Sequence, residues 1–262
     1  MASRPIFVPD EVSGKFVKEV SISFKWFSGY SFSQKQKSIQ SLHRAALEQN
    51  IAPVLEISSK SEAPLGVQLS AFNLKLHHPN GMSIPVEAAY QGSKVFEMGG
   101  PFKEFLSLTG REIKKDKRLY QSGKLIAFEF GDERWPLEPL TAFYDWLYLS
   151  ALKQNPNLSR QLLNFKGFSD IAFNPQRSFS CQARSAALFV SLSHRNLNET
   201  ALRSKDEFLR ILSPFEYQIS SQVSDAVQEE LFGDYVKPEK KPRKRKQHLI
   251  SKITTIDNKA IK

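Results

Sequence analysis

The segment Ile84-Pro-Val-Glu-Ala-Ala-Tyr-Gln-Gly-Ser-Lys94 opens with a proline suited to the first turn of a helix, where its missing N–H costs nothing. The helix so predicted runs from Pro85 to Glu97 and stops at Gly99-Gly100. Val86, Ala89, Tyr90, Ser93 and Phe96 form its small or apolar stripe. Glu87, Gln91 and Lys94 fall at i, i+4 and i+7, on a different face about a third of a turn away. A carboxylate, an amide and an ammonium in one row fit two descriptions. One is a solvated face with weak pairing. The other is a grip on a ribose, with chemistry at its anomeric carbon.

Working outward, Val20, Ile22, Phe24 and Trp26 alternate with polar residues, the pattern of a half-buried strand. Ser33-x-x-Gln36 reads as a capping box for a helix to about Asn50, with Ile39, Leu42 and Ala46 at helical spacing. Strands are predicted at Val54–Ser58 and through Leu65, Val67, Leu69 and Ala71, then a turn at Pro79-Asn-Gly81. Lys124–Phe130 reads as a strand, and Leu140–Lys153, apolar nearly all round, as a central buried helix ended by Asn155-Pro156. Shorter helices are predicted at 157–164, 182–193, 205–213 (capped by Ser204-x-x-Glu207) and 220–231. The predicted fold class is α+β, a predominantly helical single domain with a few short strands.

The 262 residues are 40% hydrophobic and include 20 Phe, enough for a core without staples. The net charge of +10 is unevenly placed. Residues 237–262 hold ten Lys or Arg against Glu239 and Asp257, a net of +8, so the other 236 residues carry only +2. The run Lys237-Pro-Glu-Lys-Lys-Pro-Arg-Lys-Arg-Lys246 has two prolines and no apolar periodicity. The division predicted is therefore a globular domain over 1–236 and a basic, disordered tail over 237–262. Such a tail suits nucleic acid through counterion release, without sequence preference; a solubilising terminus is the bland alternative.

The single cysteine, Cys181, has no partner for a disulfide and no His nearby, and reads as a buried thiol. No run approaches the ~20 apolar residues of a membrane span, and the first nine residues have no signal-like apolar run. The expectation is a cytoplasmic protein with no membrane partner. No P-loop, dinucleotide fingerprint or metal cluster is visible, so no cofactor and no metal are expected.

The block Leu69-Ser-Ala-Phe-Asn-Leu74 followed by Ile84–Lys94 resembles the NADAR family of N-glycosidases. That family has a Ser-Asn-Phe-like turn, a short hairpin, and a helix beginning Trp-Pro-Thr-x-Glu, with Gln four and Lys seven residues after the Glu. Pro85, Glu87, Gln91 and Lys94 match; Ile84 replaces the usual Trp, and Phe72 precedes Asn73 in altered order. Ala151-Leu-Lys-Gln-Asn-Pro-Asn-Leu158 and Gln182-Ala-Arg184 resemble later family blocks, so the likeness spans roughly 20–195. Phe24-Lys-Trp-Phe27, Ser33-Gln-Lys-Gln-Lys-Ser38 and Leu55-Glu-Ile-Ser-Ser-Lys60 are similar to the NADAR antitoxins paired with DarT-type DNA ADP-ribosyltransferase toxins. This resemblance implies a NADAR-like fold and hydrolysis of ADP-ribose from guanine bases in DNA. It also implies a cognate DarT-type toxin as a further partner.

Cleaving an N-glycoside on a guanine amine needs an acid near the nitrogen and a water or nucleophile at the anomeric carbon. Lysine serves as nucleophile when burial or a neighbouring cation lowers its pKa, giving an imine with the opened sugar. Lys94 is the first candidate and Lys35 the second. Glu87 is the candidate acid/base and Gln91 the holder of a ribose hydroxyl. Phe72 matches the family's turn aromatic. Trp135 would stack on a base or cover the sugar, unless it is a core residue. Asp170 offers a second carboxylate, unless it is a turn cap. Arg184 would bind a pyrophosphate bidentately, unless it sits in a salt bridge. Two other functions fit: an N-glycosidase of small phosphorylated riboflavin-pathway intermediates, and a non-catalytic module binding ADP-ribose or nucleic acid.

Overall fold

The computed structural model describes residues 1–12, 15–29, 31–78, 81–175 and 179–216, with side chains to 212. Part of the turn at Pro79–Gly81, the helix predicted at 220–231 and the basic tail at 237–262 lie outside the described residues. In chain order the elements are β1 (Ala2–Pro9), β2 (Val17–Phe24), α1 (Phe32–Leu47), β3 (Val54–Glu56), α2 (Pro64–Gln68), β4 (Lys75–His77), β5 (Ser83–Pro85), α3 (Val86–Gly92) and β6 (Lys94–Phe96). After a 3-10 turn at Lys103–Ser107 come α4 (Gly110–Ile113), α5 (Arg118–Gln121), β7 (Leu125–Phe130), β8 (Glu133–Trp135), α6 (Ala142–Gln154), α7 (Pro156–Leu162), β9 (Gly167–Ser169), α8 (Gln182–His194), α9 (Asn198–Ala201) and α10 (Lys205–Glu216).

The strands form a four-stranded sheet ordered β2-β1-β9-β3, a β4-β5 hairpin and a β6-β7-β8 sheet. The architecture is mixed α/β, so the expectation of a predominantly helical domain is corrected. β1 is the largest surprise. It pairs antiparallel with all of β2, from Ala2 opposite Phe24 to Pro9 opposite Val17. Its two prolines hide it from a reading by pattern, and they are tolerated because its other edge touches β9 only at Phe7–Phe168.

Two apolar clusters make the core. The larger surrounds α6, which is buried from Phe143 to Leu152 except at the half-buried Trp146 and Ser150, and α8, which packs against it. The smaller joins Ile6, Ile22 and Phe24 of the first hairpin to Ile39, Leu42 and Ala46 of α1, together with Ile171. β9 runs along the seam: Phe168 belongs to the larger cluster, and Ile171, just past its end, to the smaller. The intervening Ser169-Asp170 is thereby held from both sides.

Three local expectations change. The alternation Leu65, Val67, Leu69, Ala71 belongs to α2 and the turn after it, not to a strand. Pro64 starts that helix, and Gly66 lets it lie against β3: a Cβ there would stand 2.0 Å from the Glu56 carbonyl oxygen. The cap of α1 is Ser31, whose hydroxyl accepts from the Gln34 backbone N–H, rather than Ser33. Finally, the helix after Pro85 ends at Gly92 rather than Glu97. Gly92 abuts the Phe102 carbonyl, and Lys94-Val-Phe96 leaves to pair with β7, Lys94 opposite Phe128. Among the described residues no helix is long and apolar enough to cross a membrane.

Candidate active site

The short α3 keeps two of the three residues of the predicted row. Glu87 and Gln91 share a face, both half-buried, with Gln91 Nε2 donating to Glu87 Oε1 at 3.2 Å. Lys94 leaves the row because the helix has ended. It is 4% exposed, with Nζ 4.9 Å from the centroid of the Tyr90 ring. Phe72 stands beside Glu87. The Glu87 N–H donates to the Ala71 carbonyl at 2.9 Å, and the Phe72 ring is 42% exposed. It rests against Gly110, where a Cβ would come 2.6 Å from its Cε1, so any other residue would move the ring. Lys114 Nζ lies 5.2 Å from its centroid.

Asp170, half-buried after β9, does two things at once. Its Oδ1 accepts from the Ala172 and Phe173 N–H groups, which makes the turn. Its Oδ2 accepts from Gln182 Nε2 at 2.9 Å. Gln182, at the start of α8, also donates to the Ile57 carbonyl at 2.6 Å and accepts from the Ala71 N–H at 2.7 Å. One amide thus ties the Asp170 turn, the exit of β3 and the Phe72 turn together. Burial raises the Asp170 carboxyl pKa, opposed by its hydrogen bonds and by the Arg4 charge.

Behind Asp170 lies Glu56, 2% exposed, which accepts from Ser58 Oγ, Ser169 Oγ and the Ile171 N–H at 2.6–2.9 Å. Burial, and then the nearby Asp170 carboxylate, push it up to about 8. Ser169 Oγ lies 2.8 Å from His43 Nε2, and burial holds that imidazole down to about 4. A neutral Glu56–Ser169–His43 chain therefore backs the Asp170 turn near pH 7.

On the other side of Asp170 is a cationic aromatic corner. Lys35 Nζ lies 4.4 Å from the Trp26 ring centroid and the Arg4 guanidinium carbon 5.5 Å from it. Burial, then the Arg4 charge, lowers the Lys35 pKa. Burial lowers that of Arg4, partly offset by Asp170. Between this corner and α3 sits buried Tyr144, packed edge-on to Tyr90 at 5.1 Å; both Glu87 and Asp170 are near enough to oppose ionisation of its phenol. Arg4 and Lys35 thus share the Trp26 ring, the Asp170 charge acts on Arg4 from one side and on Tyr144 from the other, and Tyr144 also feels Glu87, the neighbour of Phe72.

Two sequence-predicted residues lie differently from the roles expected. Trp135 is fully buried, packed on Phe143, Trp146 and Phe208, so its core reading replaces stacking on a base. Arg184 Nη1 pairs with buried Asp145 at 2.5 Å and donates to Thr141 Oγ1, which makes it an anchor between α8 and α6. Cys181 is buried and its thiol pushed up, against a role as nucleophile. Sequence reasoning missed Arg4, Trp26, Glu56 and Gln182 as neighbours of the site. Gln182 was visible only as part of a block read for Arg184. Glu56 gave one sign, a carboxylate between the apolar Leu55 and Ile57.

A family model described as DarT1-associated NADAR antitoxin matches residues 2–222. No curated protein matches the chain. The match covers well over half of the sequence, and the chain belongs to that family.

Proposed function

We propose that this chain, as a DarT1-associated NADAR antitoxin, removes ADP-ribose from guanine bases in DNA by cleaving the N-glycosidic bond. The observation that supports this reading most is the seating of Lys35. An amine held below its ordinary pKa by burial and a neighbouring cation is the form a nucleophilic lysine needs. Lys35 therefore takes precedence over Lys94, whose near-complete enclosure beneath Tyr90 suits a supporting role.

The Lys35 amine attacks the sugar's anomeric carbon, and the bond to the guanine nitrogen breaks as that nitrogen takes a proton from Glu87. An Nζ proton then passes, with Asp170 as the carrier, to the ring oxygen as that oxygen leaves the anomeric carbon, and the nitrogen lone pair closes the imine with the opened sugar. Water then adds to the imine, the amine departs, and ADP-ribose is released. Gln91 positions a ribose hydroxyl. The exposed face of Phe72 offers a stacking surface for a base, worth about 1–3 kcal/mol for a nucleobase on an aromatic ring. The target base must be unpaired or flipped to reach these groups.

The test is incubation of the full chain with a guanine-ADP-ribosylated DNA oligonucleotide, without added metal, followed by chromatography of released ADP-ribose. Release is expected from the unmodified chain. Glu87→Gln should slow it by about 10²–10⁴-fold, the range for a positioned acid/base. Intact modified oligonucleotide after prolonged incubation with folded protein would contradict the proposal. If phosphorylated riboflavin-pathway intermediates are cleaved instead, the small-metabolite reading takes its place.

A further inference from the structure

Arg4 sits where an arginine should have an acidic partner, and it has none in direct contact. Among the described residues no ion pair includes it; Nη1 donates to the neighbouring Ser3 carbonyl, and the buried Nε has no hydrogen-bond partner. The Asp170 carboxylate is near enough to act on its charge but not paired with it. A second cation, Lys35, shares the same indole. Two like charges on one ring repel each other, and each is partly desolvated. An arrangement costly when empty is favourable once an anion is added. A guanidinium lying over an aromatic ring still presents its remaining N–H groups in a planar fork that matches phosphate oxygens.

We propose that Arg4 and Trp26 form an oxyanion subsite that takes a phosphoryl group of the substrate, next to the sugar carbon addressed by Lys35. The inference rests on the reaction proposed above. Two sources supply such a group: the pyrophosphate attached to the ribose, and the phosphodiester backbone of the DNA. In either case the subsite makes phosphate a requirement for productive binding, and it seats the anomeric carbon against the lysine.

The experiment compares the full unmodified chain with Arg4→Gln and Arg4→Lys. Titration calorimetry measures ADP-ribose binding, and fluorescence anisotropy measures binding of an unmodified single-stranded oligonucleotide. Loss of a charge-assisted fork predicts about tenfold to a hundredfold weaker binding for Arg4→Gln. Arg4→Lys, which keeps the charge without the fork, should fall between. A loss confined to ADP-ribose identifies the pyrophosphate; a loss confined to the oligonucleotide identifies the backbone. Competition of inorganic pyrophosphate against ADP-ribose on the unmodified chain adds a readout that no folding defect disturbs, and competition is expected if the pyrophosphate is the source. Equal affinities for both ligands in all three chains would overturn the subsite, as would an unmodified chain that binds neither. Arg4-dependent binding by a chain that never releases ADP-ribose from DNA would remove the glycohydrolase reading and leave the subsite standing.

Discussion

At the scale of single residues, the behaviour of Glu56 and His43 offers a test independent of any substrate. Glu56 stays protonated in the folded chain up to about 8 but ionises near 4.5 once unfolded. Between those values unfolding releases a proton, so stability falls as pH rises across the window. His43 works in the opposite sense. It stays neutral in the fold down to about 4 and takes up a proton near 6.5 when unfolded, so stability falls as pH drops from 6.5 towards 4. Glu56→Gln should therefore flatten the alkaline decline in melting temperature and leave the acidic one. An unchanged slope between pH 5 and 8 in that variant would mean that Glu56 is ionised in the fold. At this scale the sequence was informative about Glu87 and Gln91, because spacing four apart needs only a helix. It gave Glu56 only the sign of a carboxylate between two apolar residues and assigned Arg4 and Trp26 no place at the site, because their roles depend on partners more than a hundred residues away or on a strand disguised by proline.

At the scale of elements, three segments far apart in the chain converge on Gln182. Its amide meets the Ala71 N–H after α2, the Ile57 carbonyl after β3 and the Asp170 carboxylate after β9. Removing it leaves an N–H, a carbonyl and a carboxylate short of partners in a half-buried place. Gln182→Ala should cost about 2–4 kcal/mol, from three lost bonds of about 1 kcal/mol each plus desolvation of what remains. Activity should fall further than stability alone explains, because Asp170 loses the bond that aims it. Calorimetric unfolding and turnover measured on the same variant check this, and a variant with normal turnover would detach Gln182 from the site. The long buried helix α6 was legible from its all-round apolar composition, and β2, β3, β7, α7 and α8 from period or punctuation. What misled was short-range pattern. Four alternating apolar residues around α2 imitate a strand, and the helical spacing after Pro85 continues on paper beyond Gly92, where pairing with β7 takes the chain away.

At the scale of the whole molecule, charge and chemistry sit in different places. The basic run over 237–262 carries +8 of the +10, while the residues proposed for reaction lie between Arg4 and Gln182. Deleting 237–262 should leave turnover of a short modified nucleotide unchanged and reduce turnover on long DNA, most strongly at low salt where each phosphate contact releases counterions. Matching salt dependences with and without the run would remove it from DNA binding. Membership of the family was legible from one helix and a few scattered blocks, but the site was legible only in part. The residues proposed for it come from the first hairpin, α1, the ends of β3 and β9, and the starts of α3 and α8, and no local pattern reports which distant ends meet. Among these residues Lys35 is the proposed nucleophile, attacking the sugar of an ADP-ribosylated guanine. Borohydride added during turnover of a modified oligonucleotide tests it most directly, since it reduces an imine to a stable amine. The expected result is a chain heavier by one reduced ADP-ribosyl group, mapped by peptide mass spectrometry to Lys35 and absent from Lys35→Ala. Release of ADP-ribose with no trapped lysine, or an adduct on Lys94 with Lys35→Ala fully active, would contradict it.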